Sequence, residues 1–236
     1  MLLGAKQFFE RRGAPAPALP YDAEVEYLES TGTQWIDTQV LGRDNLKAVC
    51  RFAATGFTAD ATFYFPYGAV NGRVSISVYG LLQRNMTRST WAIYANVSYS
   101  AAWPRVDTDT LWHTSVMDST SLDKSGKIDD TTLFSGMGNQ NSTTSNYGIA
   151  LFGMRLADGG INTGVGRISM FKLTDTATDS VLVDFAPVRF TNELGQSEGA
   201  MYDRLGVGGM NPDGSPRTDG LYRNRGTGAF LWAEKQ

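Results

Sequence analysis

The 236-residue chain holds one cysteine, Cys50, and one histidine, His113. A lone cysteine excludes an intrachain disulfide and any cysteine-rich zinc site. A lone histidine excludes a two-histidine metal site of the usual spacing. Glutamate is absent between Glu29 and Glu193, so aspartate is the only carboxylate across the whole middle of the chain. Lysine is scarce, and arginine supplies most of the positive charge. No stretch approaches the ~20 consecutive apolar residues that a membrane-spanning helix needs. The net charge of −3 gives no electrostatic reason to expect nucleic acid as a partner.

Glycine, threonine, serine and aromatic residues are plentiful instead, with 26 Gly, 12 Phe, 10 Tyr and 5 Trp. That mixture is poor helix material and good strand and turn material. The length suits one all-β domain with a full core that needs neither disulfides nor metals. Met1 to Arg12 is the one stretch with helical character, with Leu2, Leu3, Phe8 and Phe9 as its apolar residues. It is too short to be stable alone in water. It lacks the basic start and long apolar run of a secretory signal. Ala14 to Pro20 alternates alanine and proline and reads as a stiff spacer. Residues 1–20 are therefore expected to form an arm, either an attachment element or a flap on the domain's own surface, ahead of a domain over 21–236.

From Tyr21 onward the chain reads as short strands and turns. Strands are expected at Ala23 to Leu28, Trp35 to Thr38, Leu46 to Ala53, Thr62 to Tyr67, Arg73 to Tyr79 and Thr90 to Tyr99. Further ones are expected at Thr110 to Asp118, Lys127 to Phe134, Tyr147 to Arg155, Val165 to Leu173 and Val181 to Val188. Gly68 and Gly72 separate two of them, Ser125-Gly126 suggests a hairpin turn, and Asp158-Gly159-Gly160 marks another turn. Gly206 to Asp219 reads as a long excursion before strand composition returns at Leu221 to Trp232. Many short strands without intervening helices indicate an antiparallel β-sandwich or jelly roll.

Period-two alternation separates the faces. Val74, Ile76 and Val78 share one face, and Arg73, Ser75, Ser77 and Tyr79 the other. Trp91, Ile93, Ala95 and Val97 oppose Tyr94, Asn96 and Ser98. Side chains of the second kind suit sugar rings and hydroxyls. With Trp103 and the polar loop Asn139 to Asn146, they define candidate ligand-binding residues: Arg73, Tyr79, Tyr94, Asn96, Trp103, Asn139 and Asn141. The same residues would also suit an ordinary solvated sheet face.

Other chemistry is thinly represented. His113 is the only possible base for a Ser-His-Asp site, and as a mid-strand residue it reads as a packed, neutral imidazole. Cys50 reads as a small buried apolar residue. Asp107 and Asp109, or Asp118 and Asp123, offer oxygens for Ca²⁺, but no EF-hand spacing is present. No other cofactor is implied.

The segment Val25-Glu26-Tyr27-Leu28-Glu29-Ser30-Thr31-Gly32-Thr33-Gln34-Trp35-Ile36-Asp37-Thr38 resembles the opening signature of LamG-like, concanavalin A-like domains of phages and prophages. Val183-Asp184-Phe185-Ala186-Pro187-Val188-Arg189 is similar to that family's Asp-Phe-x-Pro-x-Arg strand. Gly199 to Asp203 resembles its segment ending in Tyr-Asp, and Asn224-Arg225-Gly226-Thr227-Gly228-Ala229-Phe230 its closing strand. The motifs bracket nearly all the chain after the spacer and have a fold-forming reading. Ser30 to Thr33 makes a turn, Tyr27, Leu28, Trp35 and Ile36 pack in the core, and the closing strand pairs with the opening one.

The resemblance implies a concanavalin A-like jelly roll, a fold that also hosts glycosidases of laminarinase type. Those use a Glu-x-Asp-x-Glu or Glu-x-Asp-x-x-Glu strand, with carboxylates about 5–5.5 Å apart in retaining enzymes. No such strand exists here. Glu24 and Glu26 flank Val25, and Asp107/Asp109 and Asp129/Asp130 read as turn residues. The expectation is a non-enzymatic virion protein on a tail, fibre or head, made in the bacterial cytoplasm and released by lysis. Its expected partners are host-surface or mucus glycans, other virion proteins and further copies of itself. A purely architectural role would bury Tyr79, Tyr94 and Trp103 between subunits, and a depolymerase role would require a cleft with paired aspartates.

Overall fold

The computed structural model describes residues 19–55, 63–70, 78–85, 89–95, 106–107, 109–120, 123–137, 144–206 and 219–236. The expected arm helix, the loop over 206–219 beyond its ends, and most of the strand expected at Arg73 to Tyr79 fall outside them. Eighteen strands and no helix occur among the described residues. In chain order they begin with β1 (Ala23–Thr31), β2 (Ile36–Leu41), β3 (Leu46–Ala53), β4 (Phe63–Val70), β5 (Val78–Asn85) and β6 (Ser89–Ala95). There follow β7 (Val106–Asp107), β8 (His113–Asp118), β9 (Lys124–Ile128), β10 (Thr131–Met137), β11 (Gly148–Leu151) and β12 (Gly153–Arg155). The last are β13 (Ile161–Thr163), β14 (Val165–Asp175), β15 (Ser180–Thr191), β16 (Ser197–Asp203), β17 (Leu221–Arg223) and β18 (Leu231–Glu234).

They form an antiparallel β-sandwich. The larger sheet runs β10-β9-β8-β3-β14-β1-β15-β16-β17, with β18 added beside β1. The smaller runs β13-β12-β4-β5-β6-β7, and β11 joins β4 to β2. β12 and β4 are parallel. The core lies between the sheets. Tyr67 of the smaller sheet meets Phe171 of the larger at 5.2 Å between ring centroids, and Phe152 meets Phe230 at 4.9 Å. All four are buried, as are Leu28, Ile36, Phe52 and Phe185. Cys50 is fully buried too, and burial pushes its thiol pKa up. It is a core residue, as expected.

The two ends of the chain close on each other. β18 pairs with β1, with Leu28 opposite Trp232 and Glu29 opposite Leu231. Above that ladder, the Gln34 side-chain oxygen accepts the Thr31 N–H at 2.8 Å and the Ser30 hydroxyl at 3.2 Å. Its amide nitrogen donates to the Ala229 carbonyl at 3.0 Å. The Thr33 hydroxyl donates to the Thr227 carbonyl at 2.7 Å, and Asn224 Oδ1 accepts the Trp35 N–H at 3.2 Å. Gly226 lies so close to this turn that a Cβ there would sit 1.7 Å from the Thr33 carbonyl oxygen. No other residue fits without moving one chain end away from the other.

Three expectations need correcting. Ser125-Gly126 is not a turn; both residues lie inside β9. Gly126 is there for packing, since a Cβ would stand 2.5 Å from the Phe134 ring. The turn is at Asp129-Asp130, where Asp129 adopts a positive φ of 49°, tolerated by aspartate, and accepts the Thr114 N–H. Gly68 does not end a strand either. It lies within β4 opposite Gly80, where a Cβ on Gly80 would be 2.7 Å from the Gly68 Cα. Third, Tyr27 and Trp35 are only partly buried and face outward, while Leu28 and Ile36 fill the core. A register shift in the β1–β18 ladder between Val25 and Tyr27 resets the alternation, so that Val25 and Leu28 both point inward.

Lys124 is fully buried, with its Nζ 2.7 Å from Asp44 Oδ1. Removing either member leaves a charge in the interior. Lys124→Ala is expected to cost about 3–5 kcal/mol of unfolding free energy, and Lys124→Met clearly less. Urea denaturation of both variants checks this, and a loss under about 1 kcal/mol for Lys124→Ala contradicts it.

Candidate functional site: aromatic–arginine platforms

The outward turn of Tyr27 assembles a platform across three strands of the larger sheet and Trp112, the residue before β8. The Tyr27 ring lies 5.9 Å from that of Trp112, tilted by 52°. The Arg51 guanidinium of β3 stands 5.2 Å from the Trp112 ring centre, and that of Arg167 on β14 4.7 Å from the Tyr27 ring centre. Arg167 Nε donates to the Glu29 carboxylate at 2.7 Å, between residues directly paired in the β1–β14 ladder. That hydrogen bond to Glu29 holds the guanidinium even more firmly in its charged form. On β14, the Ser169 hydroxyl is buried without a hydrogen-bond partner among the described residues.

Trp112 is held by what flanks it. His113 starts β8 rather than lying mid-strand, and its ring is only 8% exposed against Phe52, 5.8 Å away. Its Nδ1 is 2.7 Å from Asp129 Oδ2 and its Nε2 2.8 Å from Asp109 Oδ1. Asp109 also accepts the Leu111 N–H at 2.7 Å, so residues 109–114 are stapled to the β9–β10 turn with Trp112 between the staples. With a carboxylate on each ring nitrogen, both donate, which is the imidazolium form. Burial acts to lower the His113 pKa, but the hydrogen bonds and charges of Asp129 and Asp109 outweigh it, and the net direction is upward. His113 is packed, as expected, but the neutral form expected for it is the disfavoured one.

A second platform belongs to the smaller sheet. The Arg155 guanidinium stands 4.8 Å from the centre of the Trp35 ring and 4.8 Å from that of the Tyr147 ring. Trp35 is fixed by Asn224, and Tyr147 by Gly159, whose positive φ of 88° and missing Cβ let the chain pass against the Tyr147 hydroxyl. This is the turn expected at Asp158 to Gly160. A separate cleft of about 530 Å³ opens between Gln196–Gly199 and the closing segment at Asn224 and Gly228–Phe230. Its polar side chains are engaged in holding the fold. Glu198 accepts from Asn192, and the Asn224 amide donates to the Gly228 carbonyl and accepts from the Gly226 N–H. The platforms present less committed surface.

Of the residues expected to bind ligand, Arg73, Asn96, Trp103, Asn139 and Asn141 lie outside the described residues. Tyr79 and Tyr94 occupy neighbouring strands, with Tyr79 paired to Ala95 and Tyr94 to Gly80. The alternation expected there holds for Ile93 and Ala95, which are buried. Three of the four aspartates considered for Ca²⁺ serve local bonds. Asp118 accepts the Thr120 N–H and hydroxyl, Asp123 accepts the Gly136 N–H, and Asp109 holds His113. No group of three or more His, Cys, Asp or Glu placed to hold a metal occurs among the described residues. Tyr27, Trp112, Trp35, Tyr147 and Arg155 were not singled out as ligand-binding residues by sequence. The bulge in β1 reveals Tyr27, and Trp35 and Trp112 lie just before β2 and β8 rather than inside them. No known protein family matches the chain, and no curated protein does either.

The histidine clamp makes a pH prediction. A raised His113 pKa contributes stability that is complete below the unfolded value and lost as pH rises through the folded one. Asp109 moves the opposite way. Burial acts to raise its pKa, but the bonds to His113 and the Leu111 N–H prevail and lower it, so its contribution is lost in acid. The stability difference between the wild type and His113→Gln should therefore be largest between about pH 4 and 6.5 and shrink above that window. Thermal unfolding across pH measures it, and a difference that grows toward pH 9 contradicts the clamp.

Proposed function

We propose that this chain is a non-enzymatic surface protein of a phage or prophage particle, and that it binds glycans of the host surface or surrounding mucus. The observation that carries the reading is the platform of Tyr27 and Trp112 flanked by Arg51 and Arg167 on the outer side of the larger sheet. Aromatic faces stack on sugar rings, and guanidinium and carboxylate groups bond hydroxyls. The sandwich agrees with the resemblance to concanavalin A/LamG-like jelly rolls, and closure of the chain on itself gives their end motifs a shared purpose. A binding rather than cutting role also fits the carboxylates. Glu24 is ion-paired to Arg204 and Lys235, and the single histidine is gripped by two aspartates. Placement on a tail, fibre or head, synthesis in the bacterial cytoplasm and release by lysis complete the proposal.

The test is a glycan array and a host-cell adhesion assay with the whole chain. The wild type should bind, and Trp112→Ala should weaken binding roughly tenfold, about 1.4 kcal/mol, with its melting temperature little changed. A wild-type protein that binds neither array nor cells and joins no virion component contradicts the proposal.

A further inference from the structure

We propose that Arg155 is the recognition point for the carboxylate of an acidic sugar. The inference rests on the glycan-binding reading and names the ligand class for the second platform. A guanidinium carries its five N–H donors in one plane. In Arg155 that group packs against two rings, its central carbon 4.8 Å from the centres of both Trp35 and Tyr147. Donors at the guanidinium edge suit the two oxygens of a carboxylate, which bind a guanidinium fork in its plane. No carboxylate among the described residues pairs with it. Arg155 Nε is buried and has no hydrogen-bond partner among the described residues.

Comparable arginines are differently placed. Arg43 meets Asp175 at 2.9 Å, Arg167 meets Glu29 at 2.7 Å and Arg223 meets Asp219 at 2.8 Å. Arg51 stacks on Trp112 but is exposed, so water can serve its donors. The aspartates on segments adjoining Arg155 are turned to backbone, Asp37 to the Gln39 N–H and Asp158 to the Gly160 N–H. Arg225 donates its backbone N–H to the Trp35 carbonyl, which brings a second cationic residue next to the platform. A cation beside two partly exposed rings, with no carboxylate of its own among the described residues, matches a pyranose that carries one. The ring lies against Trp35 or Tyr147, and its carboxylate reaches the guanidinium edge.

The experiment compares tetrasaccharides of galacturonic and glucuronic acid with their neutral methyl esters, by calorimetry on the full chain. The acids should bind at least tenfold more tightly than the esters. Arg155→Gln and Arg155→Lys should each remove at least tenfold of the acids' affinity, because a lysine cannot make the fork. Sodium acetate at matched concentration should not compete. Equal affinity for acid and ester, full acid binding by Arg155→Gln, or competition by acetate overturns the inference. If the variants do not fold, the Arg155 Nε–H resonance of the wild type decides, since the acids and not the esters should shift it. Esters that bind as well as acids overturn this inference alone, whereas silence toward every acidic and neutral glycan overturns the glycan reading with it.

Discussion

The side-chain amide of Gln34 is 2% exposed and bonded on both its ends, and the geometry of the rest follows from where it ties the chain. One end holds the turn after β1, and the other reaches the backbone just before β18. A buried amide left half-satisfied costs about 1–3 kcal/mol, so the two chain ends are favoured only together. Once joined, they admit β18 beside β1, and the shift in that ladder turns Tyr27 outward. The same closure fixes Trp35 through Asn224. Both aromatic–arginine platforms thus depend on a contact between residues almost two hundred positions apart.

The two platforms share an architecture but differ in electrostatics. On the larger sheet Arg167 is neutralised by Glu29, and Trp112 is steadied by an imidazolium held between Asp109 and Asp129. That surface is balanced in charge and suited to neutral hydroxyl-bearing ligands. On the smaller sheet Arg155 has aromatic neighbours and no carboxylate partner among the described residues, which leaves a net positive edge there. In a protein of net charge −3, a cation packed against two rings is the feature on which the proposed discrimination between sugars by charge rests. In the proposed role, the first platform provides affinity and the second selectivity.

Much of the architecture is legible in the sequence. Leu46 to Ala53 is a strand with the expected bounds, because alternating Leu46, Ala48, Cys50 and Phe52 all point inward. The opening strand does pair near the C-terminus, but through β18, which follows the Asn224–Phe230 segment expected to be the closing strand; that segment is a loop packed on the turn after β1. What escaped was governed by contacts distant in sequence. Gly126 looks like a turn residue until Phe134 is found against it. Asp129-Asp130, the actual turn, carries no glycine. The charge state of His113 depends on Asp129, sixteen residues away across a hairpin. Tyr27 alternates with Val25 in sequence but not in space, since a bulge is set by the partner strand rather than by the residues of the strand itself.

The claim that the outer-face platforms are where glycan meets protein is tested most directly by the five indole N–H resonances of the whole chain during titration with a bound oligosaccharide. The account predicts that Trp112 or Trp35 shifts saturably while Trp232, whose indole N–H faces Glu234 at 3.3 Å, stays in place. Saturable binding that leaves the Trp112 and Trp35 resonances both unmoved would contradict it.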